Sequence, residues 1–179
     1  MIPRLFTERL ILREYRPADF EPFAAFMADP EVVRFLHGVP MTRADAWRML
    51  STMIGHWTMR GYGTWAVERK SDGVFLGRVG LINPEGWPGL EVGWMLGRPY
   101  WGQGYATEAA EAALHYAFLT QPEDRIISLI DPENKASQAV ARRIGESRGP
   151  QHDIVVAGKT YATDIWSITR QEWRNRQKA

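Results

Sequence analysis

The chain has 179 residues and a net charge of +1, with hydrophobic residues at 45% and charged residues at 24%. That is an ordinary globular composition, enough for one domain over residues 1–179, with no basic excess for nucleic acid or a membrane surface. The absence of cysteine excludes disulfides, thiolate metal sites and a cysteine nucleophile. Arg4, Glu8 and Arg9 interrupt the opening segment, so it does not read as a signal peptide, and no apolar stretch approaches the ~20 residues of a membrane helix; a cytoplasmic protein is expected.

In chain order, Arg9–Tyr15 alternates as a strand. Pro17-Ala18-Asp19 opens a helix with Phe20, Phe23, Ala24 and Met27 on one face, and Asp29-Pro30 stops it. Glu31–Leu36 reads as a short helix. Thr42 is placed as the cap of a longer one, with Asp45 completing a weak capping box. Ala46, Met49, Leu50, Met53, Ile54 and Trp57 follow at helical spacing. The period then changes to strands over Gly63–Arg69, Phe75–Ile82 and Leu90–Leu96, with turns at Ser71-Asp72-Gly73 and Asn83–Gly89.

A glycine-containing segment, Tyr100–Glu108, leads into a predicted helix over Glu108–Leu119 that carries Ala109, Ala110, Ala113 and Ala117. Arg125–Ile130 is a further strand, Asn134–Ile144 a helix ending near Gly145, and Ile154–Ala157 with Tyr161–Ile168 a hairpin around Gly158-Lys159. Gln171–Arg176 forms a terminal helical turn. The order predicts a mixed α/β fold: a mostly antiparallel central sheet with one β-α-β crossover after the glycine turn.

Two glycines between a strand and a helix leave backbone N–H groups uncovered at a helix N-terminus, which suits an anion, and here a pyrophosphate. A Walker loop requires Gly-Lys-Ser/Thr, but Tyr105 follows Gly104. A dinucleotide fingerprint requires a third glycine where Thr107 stands, early in a parallel sheet. Asp131 at the end of the next strand imitates its ribose-binding acid, so that ligand stays open on the residues alone.

Trp101-Gly102-Gln103-Gly104-Tyr105-Ala106 resembles Gln/Arg-x-x-Gly-x-Gly/Ala, the coenzyme A pyrophosphate turn of the GNAT acetyltransferase superfamily. Trp101 replaces the usual polar first residue. Asp131-Pro132-Glu133-Asn134-Lys135-Ala136-Ser137, with Val140-Ala141 and Gly145, resembles the superfamily's Asn-x-x-Ser/Ala helix. Thr7–Arg13 and Ile168–Trp173 are similar to the ends of the branch containing the ribosomal-protein-alanine N-acetyltransferases.

The resemblance implies a GNAT fold and transfer of acetyl from acetyl-CoA to a primary amine, a protein N-terminus or a small amine, by direct attack. It implies no metal, no nucleic acid or membrane partner, and a monomer or homodimer. Backbone groups of Trp94, Met95 and Leu96 would hold the pantetheine arm, with one N–H facing the acetyl oxygen. The backbone of Trp101, Gly102, Gln103, Gly104, Tyr105, Ala106 and Thr107 would hold the pyrophosphate. Asn134 would contact pantetheine or cap its helix, with Ser137 one turn later.

Many relatives carry a tyrosine acid where this chain has Ala141, and some a glutamate where it has Leu129. Ser137 is therefore the implied acid and cofactor contact, with a helical hydroxyl bonded to its own backbone as the competing role. Glu91 is the candidate base, ahead of Glu68, Asp164 and His37. Glu108 reads as structural. An α-amine is roughly 10–15% neutral at pH 7, whereas a lysine amine is neutral only about 0.04% of the time. A chain without a strong base thus favours low-pKa amines. His37, Met41, Trp57, Trp65, Trp87 and Trp166 are candidates for the acceptor pocket, with core packing as the alternative. The rival from another class is a non-catalytic acyl-CoA-binding or sensing module, since the tyrosine is missing.

Overall fold

The computed structural model describes residues 2–36, 38–156 and 158–178. Its strands are β1 (Leu5–Phe6), β2 (Leu10–Arg13), β3 (Thr64–Arg69), β4 (Phe75–Ile82), β5 (Glu91–Leu96), β6 (Arg125–Ile130), β7 (Ser147–Val156) and β8 (Lys159–Thr169). Its helices are α1 (Phe20–Met27), α2 (Pro30–Val33), α3 (Arg43–Arg60), α4 (Tyr105–Thr120), α5 (Lys135–Ile144) and α6 (Arg170–Arg176). The strands make one sheet in the order β1-β2-β3-β4-β5-β6-β8-β7. Neighbours are antiparallel except β5 and β6, which are parallel and share one register pair, Glu91 with Ile127, among the described residues. This is the expected meander followed by one crossover.

Local chemistry sets the element ends. The Thr42 hydroxyl accepts the Asp45 N–H at 3.2 Å, and α3 ends at Gly61 in the left-handed region, φ 76°. Its apolar face buries Ala46, Leu50, Met53 and Trp57, whereas Ile54 is exposed. Pro17–Asp19 is a 3₁₀ turn ahead of α1. The predicted second helix starts at Pro30 and is shorter, with the Asp29 side chain accepting from the Glu31 N–H.

The β7–β8 hairpin is longer than expected. Its first strand begins at Ser147 and runs through Pro150, with a register shift between Arg148 and Gln151. β7 lies at the end of the sheet, where an N–H can be spared. Ala157, the expected end of that strand, lies outside the described residues.

Two layers of helices cover the sheet. Phe23, Ala24 and Met27 of α1, with Leu50 and Met53 of α3, pack with Ala66, Phe75 and Met95 of the sheet. On another cluster, Ala109, Ala110, Ala113 and Ala117 of α4 pack with Val79, Leu81 and Val92. These alanines have no exposed surface, so the small side chains bring α4 close to β4 and β5.

Candidate active site

β5 and β6 separate beyond their one shared register pair. Near the start of the split, the Ile127 N–H donates to the Leu90 carbonyl at 3.0 Å. Beyond it, side chains take over: the Ser128 hydroxyl donates to the Val92 carbonyl at 2.7 Å, and the Glu91 carboxylate accepts the Leu129 N–H at 3.3 Å. They satisfy groups that the separation would otherwise leave unpaired. Backbone groups alternate along a strand, so Trp94 and Leu96 face the same side as Leu90 and Val92. The Leu96 carbonyl is taken by the Trp101 indole N–H at 2.8 Å. The Met95 carbonyl instead faces β4: it lies 2.2 Å from where a Cβ on Gly77 would stand. The expected contribution of the Met95 backbone is therefore spent within the sheet, leaving Trp94 as the strand's open backbone.

A cleft of about 1410 Å³ opens along this split. It is lined by Glu91, Trp94, Met95, Leu96, Trp101, Gly102, Gly104, Tyr105, Ala106, Thr107, Asn134 and Ser137. Of the expected site residues, Gln103 does not line it. The Gln103 carbonyl accepts from Arg9 Nη1 at 2.9 Å and its amide donates to the Pro99 carbonyl at 3.0 Å, which braces the turn from outside.

Gly102 and Gly104 are left-handed, φ 73° and 81°, and Gly104 caps α4 without a side-chain partner for its first N–H groups. Gly104 to Thr107 line the cleft, so these donors, with the helix dipole behind them, make an arrangement able to hold an anion. Arg9, at the edge of the cleft, was not singled out from sequence, because its charge looked like one of many scattered arginines. It stacks on the Tyr105 ring at 4.5 Å and pairs with Glu108 at 2.7 Å. Glu108 also accepts from the Thr7 hydroxyl at 2.6 Å and the Arg9 N–H at 2.8 Å. Burial pushes the Glu108 carboxyl up, but these bonds outweigh burial and hold it lowered. Its structural reading stands.

Asn134 caps α5: its side-chain oxygen accepts the Ser137 N–H at 3.1 Å. It also lines the cleft, so the capping role and a place at the site coincide. The Ser137 hydroxyl accepts the Trp94 indole N–H at 3.2 Å. Its own proton is thereby left to donate, beside the strand whose backbone is open.

Glu91 is buried on β5, with its carboxylate accepting the Trp87 indole N–H at 2.6 Å. Burial raises its pKa to about 7, against the pull of Trp87, the Leu129 N–H and nearby Arg78. Such a group can exchange a proton near neutral pH.

Other candidates leave the site. Glu68 is paired with Arg13 at 2.6 Å and Asp164 with Arg148 at 2.8 Å, and neither lines the cleft. Trp57, Trp65 and Trp166 are core residues, and Met41 packs against the α1–α3 cluster. Of the tryptophans expected in the acceptor pocket, Trp87 alone reaches the cleft wall. His37 lies outside the described residues. His56 does line the cleft, but both ring nitrogens meet backbone, the Tyr62 carbonyl at 2.8 Å and the Asn83 N–H at 3.2 Å. Sequence reasoning also missed Glu146, a buried carboxylate one residue past the α5 cap. Burial holds it well above the carboxylate range, with the Ser128 hydroxyl at 3.0 Å opposing and Glu91 adding repulsion.

The chain and its fold are similar to those of known proteins. Residues 9–146 match the Acetyltransferase (GNAT) domain family. A protein called uncharacterized N-acetyltransferase p20, from Bacillus licheniformis, is 31% identical over 174 residues, covering 94% of this chain and 97% of its own. The crystal structure of an acetyltransferase from Agrobacterium tumefaciens strain C58 superposes with a TM-score of 0.82 at 31% identity, over 94% of this chain and 95% of that one. RimL, a ribosomal L7/L12 alpha-N-protein acetyltransferase in complex with coenzyme A, shares the fold at a TM-score of 0.75 and 15% identity, over 93% and 98% of the two chains.

The chain belongs to the GNAT acetyltransferase family. It is an acetyl-CoA-dependent acyltransferase, and its residues fit that co-substrate: an open strand backbone at Trp94 and uncapped N–H groups at the start of α4.

Proposed function

We propose that the chain acetylates a primary amine, a protein N-terminus or a small amine, by direct attack on acetyl-CoA. The backbone of Trp94 and the N–H of Leu96 bind the pantetheine arm, and one N–H of this stretch polarises the acetyl carbonyl. The N–H groups from Trp101 to Thr107 bind the pyrophosphate, with Arg9 bracing the turn through the Gln103 carbonyl. Asn134 orients Ser137, and the Ser137 hydroxyl protonates the departing sulfur. Glu91 receives the amine proton through water, and its carboxyl near pH 7 suits a low-pKa amine.

The observation that carries this reading is the Trp94 junction. Its backbone is open to the cleft while its indole N–H leaves the Ser137 proton free to donate, and Glu91 lies three residues upstream on the same strand. The test is thiol release on mixing acetyl-CoA with a panel of peptides and small amines. Release that depends on the amine is expected. A protein that binds coenzyme A but releases none with any amine is a binding module instead.

A further inference from the structure

Arg78 stands in the middle of β4, next to Ala66 on one side and Met95 on the other. These neighbours belong to the face covered by α1 and α3. The side chain is 7% exposed, yet it lines the cleft. Its Nε is buried without a partner, and its guanidinium makes no hydrogen bond or ion pair among the described residues. Glu91 is close enough to feel its charge, but no hydrogen bond joins the two, and the Glu91 oxygens accept from Trp87 and the Leu129 N–H instead.

Arg13 shows what a structural arginine looks like in this protein. It too is buried, and its guanidinium is satisfied by Asp19 at 2.7 and 2.8 Å, Glu68 at 2.6 Å and the Glu14 carbonyl at 2.9 Å. A buried guanidinium with no such partners is costly to fold around. It is explained by a ligand that supplies the partner.

We propose that Arg78 is a specificity-determining residue that binds a carboxylate on the acceptor, so that the substrates are amines bearing a carboxylate near the reacting nitrogen. The inference rests on the acetyl-transfer reading for the word acceptor. A carboxylate fits the flat two-pronged donor of a guanidinium. Met49, Met53, Phe35 and Leu36 also line the cleft, which gives the acceptor apolar contacts beside the carboxylate, while the charged Glu31 and Arg34 line it as well. Arg78 lies directly across from Met95, on the strand that presents the open Trp94 backbone. The carboxylate therefore sits beside the reacting end of the cleft, and the pyrophosphate turn lies beyond it.

Binding is tested apart from turnover. Wild type and Arg78→Met, both saturated with coenzyme A, are titrated by calorimetry with 3-phenylpropionate and with 3-phenylpropionamide. Wild type is expected to bind the acid roughly 10-fold or more tighter than the amide, and Arg78→Met to lose that preference. Arg78→Lys keeps the charge without the fork; it is expected to fall between, and it serves if the methionine variant does not fold. The unliganded Arg78→Met protein is expected to melt higher than wild type, because a purely structural arginine would leave it less stable. Equal affinity of wild type for acid and amide, or a preference that survives in Arg78→Met, overturns the assignment.

The amine arm compares phenylalanine with phenylalaninamide, and a peptide beginning Ala-Asp with one beginning Ala-Asn. Faster thiol release from phenylalanine points to a free amino acid, and from the Ala-Asp peptide to an acidic N-terminus. Either result supports the carboxylate. Acid-selective binding with no release from any amine defeats the acetyl-transfer reading and leaves Arg78 as an anion site.

Discussion

Glu91 sits where burial and hydrogen bonding oppose each other, and burial wins. Its folded pKa of about 7 lies above the ordinary 4.5. Below pH 4.5 both folded and unfolded states hold the proton. As pH rises, the unfolded chain releases it first, so Glu91 costs the protein stability progressively between about 4.5 and 7. The full cost is about 3 kcal/mol. Glu146 is shifted in the same direction. In urea melts, Glu91→Gln is expected to flatten the loss of stability over that window, and a fall as steep as in wild type counts against the assigned shift. In turnover, the same variant is expected to lose at least 10-fold in kcat and the rise in rate with pH near 7. Ser137→Ala is expected to lower kcat similarly while acetyl-CoA affinity holds. That Glu91 and Ser137 line the cleft could be read ahead, Glu91 from its place at the start of a strand and Ser137 from the Asn-x-x-Ser helix. Arg78 and Glu146 could not be read ahead: what sets them apart is a missing partner, which only the folded surroundings reveal.

At the scale of elements, the glycine turn is a braced loop in front of a helix end. Trp101 replaces a polar residue, yet it ties the turn to β5 through its indole N–H on the Leu96 carbonyl. Gln103 and Arg9 tie it from outside. In the proposed role the anion would be held by backbone donors, and those need the positive φ of Gly102 and Gly104. Gly104→Trp is expected to abolish coenzyme A binding in calorimetry while the far-UV spectrum stays native; retained affinity removes the pyrophosphate assignment from this turn. The glycines and the helix were readable because local backbone chemistry decides them. The start of α4 at Tyr105 was not. The sequence places Ala106 and Thr107 in the turn, whereas the helix begins as soon as Gly104 allows it. β7 was partly hidden for the opposite reason: Gly149 and Pro150 look like breakers, and the end position in the sheet tolerates them.

Across the whole molecule, β4 and β6 match their sequence boundaries because buried strands read as nearly continuous apolar runs. The order of the sheet was beyond local patterning. Nothing in a strand's own residues says that β8 inserts between β6 and β7. The parting of β5 from β6 has a mechanical consequence. The sheet is continuous on either side of this seam but stitched across it by one register pair and a few side chains, with α4 packed on α5 behind. A bound ligand that pairs with Trp94 completes the sheet, so part of its binding energy becomes cohesion between the two halves. Amide exchange is therefore expected to slow on both banks when acetyl-CoA is added, over β5 and also over Ile165–Thr169 of β8, which pair with β6 and do not line the cleft. Protection confined to β5 and the glycine turn would mean that the halves already move as one body. Slowing on both banks would instead make the co-substrate, for this protein, a transient ninth strand.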